Sequence, residues 1–322
     1  MAMPKVLITG GLGFIGMECC KQFLEHEWTV QILDIKAPAL TQMNWMEEND
    51  VLFIQGDIRV VDDVKRSLNG CSAVVNLAAQ VSVQRSMALP EETKDINVNG
   101  LNVMLENTIA NKVSSFIQAS SAAVYGNPAE LPLTEEAGIH CLSPYAESKW
   151  ENEIQIQRSR NAGLNAISLR FFNVFGPNQN YDSNYSSVIP IFIRRMLQGN
   201  SPIIYGNGEQ TRDFIHVQDV AKTIFSLVND RISFEDSEAN VCSGERISLL
   251  DLVNCINDVL ITRGLIKAPI KAKFEPAREG DIIDSQGNND RIETILGMSI
   301  NNEFIQGINE MIDFHYNQRD YA

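Results

Sequence analysis

Hydrophobic and polar positions fall into alternating blocks along the chain. Short apolar runs at "KVLIT" (5–9), "TVQILD" (29–34), "VLFIQ" (51–55), "AVVNLA" (73–78), "SFIQAS" (115–120) and "AISLR" (166–170) have the length and continuity of strands buried on both faces. Between most of them, over 14–26, 61–69, 91–111 and 145–161, the pattern switches to helical periodicity. Such alternation predicts a parallel sheet covered by helices on both faces. Near residue 176 the regularity breaks into "GPNQNYDSNYS", a polar stretch too long for an ordinary crossover. Beyond it the pattern predicts helices over 187–198, 219–229, 248–262 and 302–317, and a strand near 203. These elements read as a large α/β domain followed by a smaller, interleaved cap, without internal repeats.

Composition narrows the class. The chain has 322 residues, 44% of them hydrophobic, enough for one large domain or two modest ones with real cores. Twenty glycines and eleven prolines exclude collagen-like and low-complexity readings. A formal charge of −15 argues against nucleic acid and anionic membranes as partners, and an anionic ligand would need local cations and backbone amides. The N-terminal "MAMPKVLITGG" shows no secretory signal, and no apolar run approaches the ~20 residues of a membrane span, so a cytoplasmic location is expected. The adjacent Cys19 and Cys20 inside a predicted helix suit reduced, buried thiols. Neither the six cysteines nor the four histidines have metal-ligand spacing, so no metal is expected. Asn184-Tyr-Ser matches a glycosylation triplet but has no export signal beside it.

Two motifs carry chemistry. "LITGGLGFIG" places Gly10, Gly13 and Gly16 at three-residue spacing between the first strand and the first helix. A tight turn, close backbone approach and a helix amino end together suit a pyrophosphate. The second strand ends about 20 residues on in Asp34, whose carboxylate can accept both ribose hydroxyls of NAD and would repel a 2′-phosphate. Lys36 nearby leaves NADP open, and a solvated strand-end aspartate is the plain alternative. Asp57, after the third strand, is a candidate to meet the adenine or an ordinary helix cap. The second motif is "SPYAESKW", in which Tyr145 and Lys149 share one helix face. A phenol of ordinary pKa near ~10 is a poor base at neutral pH, and an adjacent ammonium together with a cationic nicotinamide would favour its phenolate. A solvated surface pair is the alternative if the motif stands alone.

The chain resembles the extended short-chain dehydrogenase/reductase family, and within it the nucleotide-sugar 4-epimerases of the UDP-glucose/UDP-N-acetylglucosamine type. The resemblance rests on T-G-x-x-G-x-x-G at Thr9–Gly16 and on "NLAAQVSVQRS", "INVNG", "SSAAVYG", "SPYAESK", "LRFFNVFGP", "VIPIFI", "IYGNGEQTRDFIHVQDV" and "REGDI", in order over nearly the whole chain. It implies a doubly wound, Rossmann-like parallel sheet with an interleaved α/β substrate-binding cap. The NAD-binding domain would span 1–175 plus about 213–243, and the nucleotide-sugar domain about 176–212 plus 244–322. It further implies bound NAD, contacted by Gly10, Gly13, Phe14, Ile15 and Gly16, by Asp34, Asp57 and Ile58, by Leu77, Ala78 and Ala79 beside the nicotinamide, and by Ser120, Tyr145 and Lys149. Asn99 would be the buried asparagine that supports the lysine. A homodimer through a four-helix seam of the 91–111 and 145–161 helices is also implied.

By the same resemblance, Ser121, Tyr145 and Lys149 form the catalytic set. Tyr145 would take the C4 hydroxyl proton as C4 hydride passes to NAD⁺, and hydride would return to the other face of a transient 4-keto sugar. Relatives that eliminate water or decarboxylate carry acids just after the catalytic Ser/Thr, where this chain has Ala122 and Ala123. Methyl groups transfer no protons, which favours epimerisation. The UDP-sugar would be held by Arg212 and Arg278 at the diphosphate, Asn173 beside it, Val188 and Tyr205 at the uracil, and Ser82 and Ser285 near the sugar, with Asp281 holding Arg278. Ser285 stands where strict galactose/glucose epimerases carry tyrosine, and its small side chain leaves room for an N-acetyl group. Uronic-acid epimerases, decarboxylases, NADP-linked reductases and a non-catalytic NAD-sensing protein are the alternatives.

Overall fold

The computed structural model describes residues 3–128, 130–179, 187–277, 282–300 and 303–317. The six expected strands form as β1 (Lys5–Thr9), β2 (Thr29–Asp34), β3 (Leu52–Gln55), β4 (Ala73–Asn76), β5 (Ser115–Ser121) and β6 (Ala166–Phe171). Shorter strands follow: β7 (Asn173–Phe175), β8 (Ile203–Tyr205), β9 (Thr211–Arg212), β10 (Phe214–His216), β11 (Glu238–Val241), β12 (Ile247–Ser248) and β13 (Lys273–Glu275). The first six join β11 in a seven-stranded parallel sheet of order β11-β6-β5-β4-β1-β2-β3, and the others pair two by two. The chain winds outward from β1 in one direction and from β4 in the other. A crevice therefore opens at the carboxyl ends of β1 and β4, where such sheets bind ligands.

The helices are α1 (Phe14–Glu25), α2 (Leu40–Glu48), α3 (Val61–Leu68), α4 (Val83–Ala88), α5 (Pro90–Lys94), α6 (Gly100–Ala110), α7 (Pro144–Asn161), α8 (Val188–Leu197), α9 (Val217–Asn229), α10 (Leu249–Thr262), α11 (Asp290–Leu296) and α12 (Phe304–Asn317). Alternation along β1 sends Val6 and Ile8 to one face of the sheet, where they pack with Phe23 of α1 and Ile224 of α9. Leu7 goes to the other face, against Leu68 of α3, Leu101 and Met104 of α6 and Ile156 of α7. A further core joins α8, α10 and α12 through Phe192, Ile256 and Ile308.

Two elements depart from expectation. The helix foreseen over 91–111 is broken by a π-helical turn at Asp95–Asn99 between α5 and α6. β11 has only the four residues "EANV", too short and too mixed to stand out as an apolar run. Among the described residues, no helix is long and apolar enough to cross a membrane.

Candidate active site

The glycine turn leaves β1 at Thr9. Gly10 has φ +64°, and a Cβ there would lie 3.0 Å from the Ala78 backbone nitrogen; Gly16 backs onto Gly10 and Gly11 with no room for one. Gly13 caps α1 without any side-chain acceptor, and the first turn holds no acid. The first amides of α1, those of Phe14 and Ile15 included, therefore lack intrahelical partners and suit an anion. Asp34 ends β2 and accepts from the Leu12 N–H at 3.1 Å and the Lys36 N–H at 3.0 Å, which fixes the acid to the turn. Leu77 and Ala78 close the turn from β4, donating their N–H groups to the carbonyl and the hydroxyl of Thr9, each at 3.2 Å, and Ala79 follows them half-buried. A close-packed glycine cradle, an uncapped helix and a strand-end acid together fit a dinucleotide.

Asp57 and Ile58 have partners within the chain. Asp57 accepts a forked pair from Arg59, with Nη2 at 2.6 Å from Oδ2, and Arg59 continues to Asp95 at 2.7 Å. Hydrogen bonding to Arg59 holds Asp57 below the usual carboxylate range. The Ile58 side chain packs into the core over Gly100.

The second centre begins where Ser143 caps α7, its Oγ accepting the Ala146 N–H at 3.2 Å, with Pro144 at the first helical position. Tyr145 thus lies in the first turn and Lys149 one turn on. The Lys149 Nζ is 5.8 Å from the centre of the Tyr145 ring and donates to the Ala119 carbonyl at 2.8 Å. Ser121, at the end of β5, accepts the Ala123 N–H at 3.2 Å, and its hydroxyl hydrogen-bonds the Tyr145 phenol. Burial raises the phenol above its ordinary pKa and the Ser121 bond opposes the rise. Burial pushes Lys149 down to about 8, with the Glu153 carboxylate pulling the other way.

Buried polar groups link the two centres. The Thr9 hydroxyl donates to Asn76 at 2.6 Å, Asn76 donates to Gln118 at 2.7 Å, and Gln118 donates to the Ala119 carbonyl at 2.9 Å, the acceptor of Lys149. The amides Asn76 and Gln118 interrupt apolar strands, which was the signal in the sequence that could have marked them.

Two assignments are corrected. Asn99 is exposed and donates to Asp95 at 3.0 Å. The buried asparagine is Asn97, 3% exposed, which accepts the Gln80 N–H at 2.8 Å and donates to the Gln80 carbonyl at 3.0 Å and the Ser148 hydroxyl at 2.9 Å. Ser120 does not offer its hydroxyl to a ligand pocket: alternation along β5 turns it inward, where it donates to Glu153 at 2.5 Å.

On the substrate side, β9 carries Arg212, whose Nη1 donates to the Thr211 carbonyl at 2.8 Å, and Ser285 is tied to the same carbonyl through its N–H at 3.2 Å. Ser285 is buried. Asn173 begins β7 and donates its side-chain amide to the Asp213 carbonyl at 3.1 Å. Asp213 itself accepts from Ser243, Gly244 and Gly287 and holds these loops together. Arg212, Asn173 and Ser285 are thus brought to one region. Val188 starts α8, Tyr205 ends β8, and Ser82 caps α4 by accepting the Arg85 N–H at 3.1 Å. Arg278, Asp281 and the triplet at Asn184 lie outside the described residues.

A doubly wound sheet, a glycine cradle at its switch point and a Ser–Tyr–Lys set define a dinucleotide-dependent oxidoreductive enzyme of the short-chain dehydrogenase/reductase class. The chain belongs to the NAD dependent epimerase/dehydratase family, whose model matches residues 6–241. It is 36% identical over 281 residues, 86% of this chain and 87% of the other, to a Methanocaldococcus jannaschii protein provisionally named a UDP-glucose 4-epimerase. Among solved structures it is similar to the UDP-N-acetylglucosamine 4-epimerase of Methanobrevibacter ruminantium M1, in complex with UDP-N-acetylmuramic acid. That match has TM-score 0.90 and 31% identity, and covers 99% of this chain and 100% of that one. It is also similar to the UDP-glucose 4-epimerase of Stenotrophomonas maltophila, with bound NAD and formylated UDP-arabinopyranose, at TM-score 0.88 and 25% identity over the whole of both chains.

Proposed function

We propose that the chain is a 4-epimerase of UDP-hexoses that accepts UDP-Glc/UDP-Gal and also UDP-GlcNAc/UDP-GalNAc. The observation that carries this reading is the meeting of Ser121, Tyr145 and Lys149 beside a glycine cradle at the switch point of the sheet. Gly10, Gly13, Gly16 and Asp34 would hold NAD. When bound, NAD supplies the redox chemistry, oxidising the C4 alcohol and returning the hydrogen.

The chain's own work is positioning and proton transfer. Tyr145 accepts the C4 hydroxyl proton, directly or through Ser121. Ser121 opposes the rise that burial imposes on the phenol, and the Lys149 ammonium beneath the ring and the positive amino end of α7 would favour the ionised form further when the proton is taken. Reversal of the same transfer reprotonates the sugar after it turns. The alanines at 122 and 123 leave no acid or base for elimination at the neighbouring carbons. Arg212 would grip the diphosphate through its planar fork, and the small, buried Ser285 would admit an N-acetyl group.

The same reading takes the protein as a homodimer of the cytoplasm, in keeping with six cysteines that form no disulfide. Purified protein should interconvert both UDP-sugar pairs when products are read by NMR of the sugar ring. Turnover of UDP-Glc alone would remove the N-acetyl tolerance, and turnover of neither pair would remove the epimerase reading.

A further inference from the structure

Glu153 lies one helical turn beyond Lys149 on the same face of α7, and both are buried. Its carboxylate accepts a forked pair from Arg170 of β6, with Nη2 to Oε2 at 2.7 Å and Nε to Oε1 at 3.0 Å, and a third bond from the Ser120 hydroxyl at 2.5 Å. The side chains of Arg170 and Glu153 are only 3% and 4% exposed. Behind them Arg170 donates to the Tyr125 hydroxyl at 2.8 Å and the Glu135 carbonyl at 3.1 Å, and Tyr125 donates to Asn240 of β11 at 2.7 Å. Lys149 is faced by Tyr145 and Glu153 from its own helix, with Arg170, Tyr125 and Glu135 standing behind the carboxylate.

A buried Arg–Glu pair is weak evidence of added stability, because desolvation offsets the attraction. Its placement here suggests a different use. The pair joins the strand end that bears Ser121 to the helix that bears Tyr145 and Lys149, and Glu153 is the charge that acts on Lys149 in the sense opposed to burial.

We propose that Glu153 is a positioning residue for this centre: clamped by Arg170 and Ser120, its carboxylate keeps the Lys149 ammonium charged beneath the Tyr145 ring. The role rests on the epimerase reading above. It is tested in the full chain labelled with 13C-lysine, where the Lys149 signal is identified by its loss in Lys149→Met.

The wild-type signal should titrate near pH 8. In Glu153→Gln the midpoint should fall by ~1 pH unit, and the high-pH limb of UDP-Glc turnover should fall with it. The double variant Glu153→Gln/Arg170→Met removes the guanidinium together with the carboxylate that compensates it, and serves if the single variant does not fold. It too should show the lowered midpoint, whereas a purely structural pair predicts an unchanged one. An unchanged lysine midpoint in a folded variant, or a lowered midpoint with an unmoved limb, would overturn the proposal. A wild-type chain that turns over no sugar nucleotide would instead remove the epimerase reading, and the lysine midpoints would still decide whether Glu153 governs Lys149.

Discussion

Tyr145 carries two opposing influences: burial, which raises its phenol pKa, and Ser121, which lowers it; the amino end of α7 and the Lys149 ammonium stand where a phenolate would be favoured. Tyr145→Phe retains the ring and removes the proton acceptor. Turnover should fall by ~10²–10⁴-fold with the fold retained, read by steady-state kinetics beside a denaturant melt. A loss below about tenfold would mean that another group takes the proton. Asn97 and Asn99 give a second contrast. Removing Asn97 leaves buried partners on Gln80 and Ser148 unsatisfied and should lower the unfolding free energy by ~1–3 kcal/mol. Asn99→Ala should stay within ~0.5 kcal/mol in the same denaturant melt. The shared helix face of Tyr145 and Lys149 was legible because an i,i+4 spacing is a local property, whereas Ser121 came from the resemblance. Glu153 and Arg170 were missed, since their meeting depends on how α7 crosses β6, although an arginine inside the apolar run "AISLR" was a visible signal.

At the scale of elements, the start of α7 was legible from Ser143-Pro144, while the π-helical turn before α6 was not. Asn99 was chosen over Asn97 from the resemblance alone; residues two apart on a helix point about 200° away from each other, so only one of the two faces the core. The short strand β11 was missed because its place comes from pairing with β6, not from its own four residues. The first turn of α9 carries a testable charge. Burial raises Asp219 from 3.8 to about 6, against the pull of Lys222 at 3.7 Å. A carboxylate raised on folding destabilises the native state above its folded pKa, and the penalty is relieved as the pH falls through about 6 towards 3.8. Asp219→Asn should therefore add about 1 kcal/mol at pH 8, after allowance for solvent screening, and nothing near pH 4. Thermal melts at the two pH values decide it, and a variant less stable than wild type at pH 8 would contradict the assignment.

Across the whole molecule, reversal of strand order beside β1 opens the crevice, and the bonds from Thr9 through Asn76 and Gln118 to the acceptor of Lys149 run beneath it. The cofactor cradle and the proton acceptor are thereby built on one rigid sheet, a condition for redox chemistry at a single sugar carbon. That shared frame was legible in the strand–helix alternation; the identity of the sugar was not, because it depends on which side chains the folded cap gathers around the ring. The most direct test follows deuterium. UDP-glucose carrying deuterium at C4 is incubated with the protein in ordinary water, and the ring is read by NMR. The account predicts UDP-galactose that keeps the label at C4. Loss of the label to solvent, or inversion at any other carbon, would contradict it.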